Sequence, residues 1–325
     1  MASSGSSRSS KIPEILAVSG GRPLQAVGFG TASFPFVAED VKNAVLAALD
    51  LGYRHIDTAS VYGSEQVVGE AVTEATRRGV IASRGEVFVT TKVWCTQCHP
   101  DLVLPSLKES LQKLQMEYVD LYLVHWPMSV KPSKPHLFMK REDIVPMDLR
   151  GVWEAMEECH RLGLAKMIGV SNFTTRKLQE LLAIAKIPPA VNQVELNPVW
   201  QQKKLIEFCK EKGIHVTAYS PLGGQTRTSQ TNAILHCEAL KEIAEARGKS
   251  VAQVFDKLPT RLTLDTASWY AIEMRTEELD GDEKQASLEC QLNLARFVYF
   301  VGFVSSLPAV STEPCWVCDH LRQVY

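Results

Sequence analysis

The stretch VFVTTKVWCTQCHPDLVLPSLKESLQKLQMEYVDLYLVHW, residues 87–126, contains a complete strand–helix–strand pattern. Its two ends, VFVTTKV (87–93) and VDLYLVHW (119–126), are short runs of mostly apolar, β-branched and aromatic residues, and the segment between them has helical periodicity. Two strands joined by a helical crossover pair in parallel. The stretch therefore predicts one βα unit of a parallel sheet.

The same alternation runs from about residue 26 to about residue 250. Five more candidate strands are VGFGTA (27–32), HIDTA (55–59), MIGVSN (167–172), AVNQVEL (190–196) and HVTAYS (215–220). Predicted helices between them end at C-cap glycines, namely Gly52, Gly163 and Gly213, and a further helix is predicted over 233–247. In front of the first unit, EILAVSGGRPLQAV (14–27) predicts a hairpin with a Gly20–Gly21 turn. Seven βα units favour an α/β barrel.

A closed barrel of this class needs eight strands, and the eighth does not follow the pattern. After Val254 no strand followed by a helix is visible, and the one β-like run, FVYFVGFV (297–304), lies far downstream. We therefore expect a disordered tail over residues 1–11, a barrel over 12–254, and an atypical, poorly ordered segment over 255–325. In this prediction the eighth strand and the C-terminal helix and loop are missing or replaced.

Composition excludes several classes of protein. Apolar residues make up 45% of the 325 residues, charged residues make up 22%, and the formal net charge is -2, which is typical of a soluble globular protein and gives no basis for nucleic-acid binding. No apolar run reaches the roughly 20 residues of a membrane helix. Because no N-terminal apolar segment would direct export, we expect the eight cysteines to be reduced thiols and the protein to be cytoplasmic.

Four reactive side chains fall where the predicted strands end. Asp57, Lys92 and His125 lie at the carboxyl ends of the second, third and fourth strands, and Tyr62 lies in the loop after the second. In a βα barrel those ends meet on one face. Taken singly, Asp57 could be a helix cap or an ion-pair partner, and Lys92 could be a structural cation. Together they predict one active-site pocket.

These residue types suit proton donation to a carbonyl oxygen. A phenol has a pKa of about 10, and we expect a neighbouring Lys92 ammonium, held by Asp57, to lower the pKa of Tyr62 and make it a usable general acid. His125 can donate a hydrogen bond that orients the substrate. Because no side chain can supply a hydride, the hydride has to come from a cofactor.

Two other motifs resemble known cofactor sites but lack residues that those sites need. GFGTAS (28–33) resembles the start of a dinucleotide-binding fingerprint, but Ser33 stands where the third glycine is needed. CTQCH (95–99) has the spacing of haem attachment, but it directly follows the strand that carries Lys92, and a zinc site would need a second ligand pair. We expect Cys95, Cys98 and His99 to be loop residues near the substrate pocket, and we expect no metal.

The motifs GYRHIDTASVYGSEQVVGEAV, FVTTKVW, DLYLVHWP, IGVSNF, NQVELNP and AYSPLG resemble, in order and spacing, those of the aldo-keto reductase family. The resemblance covers residues 12–254. Further details are similar to the plant branch that contains chalcone or polyketide reductases, codeinone reductase, methylecgonone reductase and deoxymugineic acid synthase. The resemblance to the family implies a (β/α)8 TIM barrel and a monomeric protein.

The resemblance also implies NADPH-dependent reduction of an aldehyde or ketone to an alcohol, with Asp57, Tyr62, Lys92 and His125 as the catalytic tetrad. His125, Trp94 and Trp126 are implied as substrate-binding residues. The implied cofactor contacts are Gly30, Thr31, Ala32, Asp57, Ser171, Asn172, Gln193, Tyr219, Ser220 and Leu222. Neutral amides suit Ser, Asn and Gln side chains, and an aromatic face suits a nicotinamide ring.

The C-terminal segment departs from the family pattern. Related reductases continue after the GKSVAQV motif (248–254) with an eighth strand and a helix that binds the adenosine 2'-phosphate, and neither is visible here. Loss of that phosphate site predicts weak or absent activity and leaves the preference for NADPH over NADH open. The alternative interpretation is a catalytically impaired, truncated isoform, or a non-catalytic nicotinamide-binding protein of the same fold.

Overall fold

The computed structural model describes residues 14–15, 24–25, 27–33, 35–137, 140–196, 200–221, 241–242 and 245. Four predictions lie wholly or mostly outside these residues. They are the disordered tail over 1–11, the Gly20–Gly21 turn, the atypical segment over 255–325 with its candidate eighth strand, and most of the helix over 233–247, of which Lys241, Glu242 and Glu245 are described and helical.

Seven strands form one parallel sheet, and all seven were predicted. They are β3 (Phe29–Gly30), β4 (His55–Asp57), β5 (Phe88–Val93), β6 (Val119–Val124), β9 (Ala165–Ser171), β10 (Val191–Glu195) and β11 (His215–Tyr219). Their spatial order is the chain order, and every neighbouring pair is parallel. Central strands such as β5 are buried on both faces, as a parallel sheet covered by helices requires.

Six helices connect these strands. They are α1 (Ala38–Asp50), α2 (Glu65–Arg77), α3 (Val103–Leu114), α4 (Leu149–Arg161), α5 (Thr175–Leu182) and α6 (Lys203–Glu211). Each packs against the next one along the chain. The three predicted stops are correct, because Gly52, Gly163 and Gly213 have φ values of 94°, 71° and 68°, in the left-handed region that ends helices.

A hydrogen bond across the sheet shows that it is curled into a barrel. Gln193 on β10 donates from Nε2 to Asp57 Oδ2 on β4 over 2.8 Å. Four strand spacings separate β10 from β4 in the sheet order. In a flat sheet they would lie about 19 Å apart, at about 4.8 Å per spacing. The strand ends therefore converge, which is the geometry of a (β/α)8 TIM-type barrel.

The apolar core has three parts. The largest lies between the strands and the helices and includes Val89, Val93, Tyr122 and Val124. The alternate residues of the same strands turn inward, where Phe88, Leu121, Leu123, Ala190 and Val191 form a second cluster. A third cluster, at the strand ends, contains Trp94, Cys95, Trp126 and Val130.

Two small hairpins accompany the barrel. The predicted N-terminal hairpin is present, because β1 (Glu14–Ile15) pairs with β2 (Leu24–Gln25) in antiparallel fashion. The other hairpin pairs β7 (Ser129–Val130) with β8 (Ile144–Val145) in the long loop after β6. Sequence analysis did not predict this second hairpin, whose Val130 belongs to the third cluster and whose Ile144 packs against it.

Within the described residues, no helix combines the length and the apolar character needed to cross a bilayer. The same residues contain no group of three His, Cys, Asp or Glu side chains arranged to hold a metal ion. The four described cysteines, Cys95, Cys98, Cys159 and Cys209, are buried free thiols.

Candidate active site

The four predicted catalytic side chains come from neighbouring strand ends and meet in one place. Asp57 is the last residue of β4, Lys92 lies near the end of β5, and His125 directly follows β6. Tyr62 closes a short 3-10 turn, Ser60–Tyr62, that follows β4, and Gly63 with φ of 72° redirects the chain into α2. The parallel sheet brings these ends together because neighbouring strands terminate on the same face.

Lys92 and Asp57 form a buried ion pair. The Lys92 side chain is 0% exposed and that of Asp57 is 9% exposed, and the ammonium donates to Asp57 Oδ1. Lys92 Nζ also donates to the carbonyl oxygen of Thr58 over 3.0 Å. The second oxygen of Asp57 accepts from Gln193. A buried charge pair is stable only when its remaining donors and acceptors are satisfied, and here both oxygens of Asp57 have partners.

Tyr62 and His125 face each other beside this pair. The Tyr62 hydroxyl lies 3.5 Å from Nε2 of His125, and the two rings meet edge to face with centroids 5.5 Å apart. Lys92 Nζ lies 5.0 Å from the centroid of the Tyr62 ring. Nδ1 of His125 is buried and has no hydrogen-bond partner in the described structure. The Tyr62 phenol, the His125 imidazole and the Lys92 ammonium therefore lie close together.

The charge state of the site follows from burial. Loss of water around the imidazole, and secondly the charge of Lys92, hold the pKa of His125 well below its usual value of 6.5, so the ring is neutral. Burial also lowers the pKa of Lys92, although Asp57 opposes this shift.

The expectation that Lys92 lowers the pKa of Tyr62 is wrong in direction for this structure. Burial, and then the charges of Asp57 and Tyr219, raise the pKa of the Tyr62 phenol well above 10.0. The Lys92 ammonium makes its hydrogen bonds to Asp57 and Thr58. The phenol is therefore protonated throughout the physiological range, which is the state that a proton donor requires.

The residues predicted to hold a carboxamide lie next to the tetrad. Asn172, with φ of 63°, donates from Nδ2 to the His125 carbonyl over 3.0 Å and accepts from the Tyr219 hydroxyl over 2.8 Å. Ser171 donates to the Gln193 carbonyl over 2.8 Å. A left-handed conformation is uncommon at a non-glycine residue, and asparagine adopts it more readily than most residue types. This network fixes a row of amide and hydroxyl groups along the strand ends.

The other predicted cofactor contacts are placed as follows. Gly30 pairs with Asp57 in the strand register, Thr31 donates through both its amide and its hydroxyl to the Asp57 carbonyl, and Ala32 follows, partly buried. Ser220, with φ of 48°, has a buried Oγ with no partner in the described structure. Leu222 lies outside the described residues.

Aromatic side chains form the wall above His125. Trp94 meets the His125 ring edge to face with centroids 4.9 Å apart, and its Nε1 donates to the carbonyl of His136 over 2.8 Å. Trp126 packs in the same cluster. Cys95 lies in this cluster as well, whereas His99 bonds the Val130 carbonyl over 2.8 Å. The loop after β6 is thus fastened over the pocket.

Sequence analysis missed two contributors to the site. The first is the Thr58 carbonyl, which accepts a hydrogen bond from Lys92 Nζ. The second is the Ser64 hydroxyl, which lies 2.8 Å from Thr31 Oγ1 and 2.9 Å from Thr58 Oγ1. A serine directly before a helix normally predicts an N-cap. Here its side chain makes no cap hydrogen bond. No local signal in the sequence distinguishes these two arrangements.

The curated proteins that are similar to this chain include plant reductases and synthases. The 7-acetyl-epi-neemfruitin B aldo-keto reductase of Melia azedarach is 56% identical over 243 residues, which cover 75% of this chain and 75% of the relative. Deoxymugineic acid synthase 1-B of Triticum aestivum is 52% identical over 313 residues, covering 90% and 96%. D-galacturonate reductase of Fragaria ananassa is 51% identical over 248 residues, covering 75% and 78%.

A solved structure supports the same relationship. The crystal structure of a Bombyx mori aldo-keto reductase in complex with NADP is 33% identical, with a TM-score of 0.71, and covers 90% of this chain and 89% of that one. The sequence model of the Aldo/keto reductase family matches residues 26–256, which include every described strand of the parallel sheet. The chain is a member of the aldo/keto reductase family.

Proposed function

We propose that this chain catalyses the NADPH-dependent reduction of an aldehyde or ketone to an alcohol, with Tyr62 as the proton donor. The observation that carries the proposal is the convergence of Tyr62 and His125, 3.5 Å apart, beside the buried Lys92–Asp57 pair. Family membership supports the reaction class.

The polar groups beside the tetrad suit the nicotinamide end of the cofactor. Asn172, Ser171 and Gln193 offer the amide and hydroxyl groups that hold a carboxamide, and Tyr219 offers an aromatic face. The unpartnered Oγ of Ser220 is a donor suited to a phosphate oxygen. NADPH, when bound, supplies the hydride and its electron pair to the carbonyl carbon and is thereby oxidised to NADP⁺.

The chain's own residues then handle the substrate oxygen. His125 is neutral and, with its proton on Nε2, donates a hydrogen bond that orients the carbonyl. As negative charge develops on that oxygen, the Tyr62 hydroxyl transfers its proton to it. The phenolate that remains is stabilised by the Lys92 ammonium, which Asp57 holds in position. Uptake of one proton from water restores the Tyr62 phenol, so each turnover consumes one hydride from the cofactor and one proton from water.

A turnover assay with matched tyrosine variants tests this proposal. Oxidation of NADPH is followed spectroscopically with a panel of aldehydes and ketones for the wild type, Tyr62→Phe and Tyr118→Phe. Tyr118 lies at the opposite end of β6, between the Arg84 and Lys166 cations, and serves as the control. We expect turnover for the wild type and the control and a loss of at least about 100-fold for Tyr62→Phe.

The result also separates the two interpretations of the C-terminal segment. Equal rates for the wild type and Tyr62→Phe would contradict the proposed acid. Absence of turnover in the wild type, together with measurable NADPH binding in a fluorescence titration, would instead favour a non-catalytic nicotinamide-binding protein. The alignment with the wheat relative covers 90% of this chain and so extends beyond the family match, which supports testing the full chain.

A further inference from the structure

The start of α2 is tied to three neighbouring strand ends by buried side-chain hydrogen bonds. Ser64 is 0% exposed and lies between the hydroxyls of Thr31, which follows β3, and Thr58, which follows β4. The next residue, Glu65, accepts from the Thr91 hydroxyl on β5 over 2.7 Å. Consecutive residues of one chain segment therefore contact β3, β4 and β5 at the level of the catalytic side chains.

The direction of the hydroxyl chain follows from counting protons. Thr31 Oγ1 donates its single proton to the Asp57 carbonyl over 3.0 Å, so its contact with Ser64 requires Ser64 to donate. Ser64 has then used its own proton, so Thr58 Oγ1 must donate to Ser64. The chain runs in one direction, Thr58 to Ser64 to Thr31 to the Asp57 carbonyl, and every hydroxyl in it is satisfied.

This chain ends on the groups that hold the catalytic lysine. The backbone of Thr58 supplies the carbonyl that accepts from Lys92 Nζ over 3.0 Å. The backbone of Asp57 receives the far end of the chain, while the Asp57 side chain pairs with Lys92. Tyr62 lies two residues before Ser64 in the same loop. Ser64 thus connects the loop that carries Tyr62 to the end of β4, where Asp57 and Thr58 accept hydrogen bonds from Lys92.

We propose that Ser64 is a positioning residue, whose hydroxyl fixes the Tyr62 loop relative to Lys92 through Thr58. Its position before α2 gives it no other hydrogen-bonding task, since its side chain does not cap the helix. Removing the hydroxyl leaves Thr58 Oγ1 without an acceptor and frees the Thr58 carbonyl to shift away from Lys92. Small displacements of catalytic groups lower rates strongly, because the reacting groups must be held close to their productive geometry.

The inference rests on the proposed function, and a set of four variants tests it. Ser64→Ala and Thr58→Val each remove one hydroxyl of the chain, and the double variant removes both. Ser106→Ala is the matched control. Ser106 lies on the outer helix α3, is also buried, at 4% exposure, and donates to the side chain of Gln97 over 3.2 Å. For each protein, kcat, the substrate KM, the NADPH dissociation constant and the melting temperature are measured.

We expect Ser64→Ala and Thr58→Val each to lower kcat about 5- to 30-fold while KM and the NADPH dissociation constant change less than about twofold. Both variants and the control lose roughly 2–6 °C in melting temperature, as a buried hydroxyl left without its partner predicts. Only the control keeps its kcat. The double variant is no slower than the slower single variant, since both changes break the same chain.

A comparison in the Lys92→Met background tests whether Ser64 acts through Lys92. Ser64→Ala should lower single-turnover rates in the wild type but not when Lys92 is already absent. Equal factors in both backgrounds, or an unchanged kcat in Ser64→Ala, would overturn the proposal. If the wild type has no turnover at all, the proposed function fails, and the hydroxyl chain is then judged by the melting temperatures: losses that do not add in the double variant support it, and additive losses refute it.

Discussion

Replacement of Lys92 by methionine tests how the ion pair divides its effect between stability and catalysis. The side chain is fully buried, and its removal leaves the Asp57 carboxylate with Gln193 as its remaining side-chain donor. A close charge pair at an effective dielectric constant of about 20 contributes about 4 kcal/mol. Breaking a buried pair by removing one partner costs about 3–5 kcal/mol. We expect Lys92→Met to lose stability in this range, toward its lower end because the Gln193 bond persists.

The double variant Asp57→Asn/Lys92→Met makes the test sharper. It removes both charges, so no carboxylate is left buried without a counter-charge, and we expect most of the lost stability to return. Catalysis should not return, because neither variant has a cation beside the phenolate that forms at Tyr62. We therefore expect a fall in kcat of at least about 100-fold in both proteins.

Urea unfolding and turnover assays measure the two effects separately. Lys113→Met is the control, since Lys113 pairs with Glu109 on the surface of α3 and such pairs contribute about 0–1 kcal/mol. The reasoning is refuted if Lys92→Met is no less stable than this control, or if the double variant is as unstable as Lys92→Met.

Three further predictions concern other parts of the barrel. Burial lowers the pKa of His215 from 6.5 to about 4, so the unfolded chain binds this proton more readily, and the free energy of unfolding should fall by roughly 2–3 kcal/mol as pH drops from 6.5 to 4. His215→Asn should lack that part of the pH dependence in urea titrations. A Cβ at Gly69 would lie 2.2 Å from the Leu114 carbonyl oxygen, so Gly69→Ala should lower the melting temperature by several degrees. Trp94→Phe removes the bond to the His136 carbonyl and should raise the substrate KM several-fold in steady-state assays, because it loosens the loop over the pocket.

Each of these predictions has a contrary result. Parallel pH profiles of unfolding for the wild type and His215→Asn would contradict the first. For the second, Gly85→Ala is the control, because its added Cβ would meet only Ser83 Oγ at 3.3 Å, and equal stability of the two alanine variants would contradict the packing argument. An unchanged KM in Trp94→Phe would show that the loop does not depend on the indole.

The strand pattern was predictable because runs of β-branched and aromatic residues alternate with helical segments, three of which end at the glycine stops Gly52, Gly163 and Gly213. The ends of the strands were harder to predict. The prediction for the first strand extended over 27–32, whereas β3 covers Phe29–Gly30. Thr31, just after β3, still donates both its amide and its hydroxyl to the Asp57 carbonyl. Its place is therefore set by a residue 26 positions away, which local patterns do not contain.

Contacts in the site between neighbouring strand ends could be predicted from the sequence. Contacts that form only because the sheet curls into a barrel could not. Asp57, Lys92 and His125 were expected to meet because neighbouring parallel strands end on one face, and they do. The bond from Gln193 to Asp57 joins residues 136 positions apart and exists only because the sheet curls. The direction of the pKa shift of Tyr62 was wrong for a similar reason, since burial and the partners of the Lys92 ammonium are properties of the folded site.

Transfer of deuterium tests the central claim most directly. The wild type is incubated with an aldehyde and NADPH that carries deuterium at the reactive position of the nicotinamide, and the alcohol product is analysed by mass spectrometry. The account predicts one deuterium on the carbinol carbon with the wild type and a rate at least about 100-fold lower with Tyr62→Phe. An alcohol without deuterium, or equal rates of incorporation in the two proteins, would contradict it.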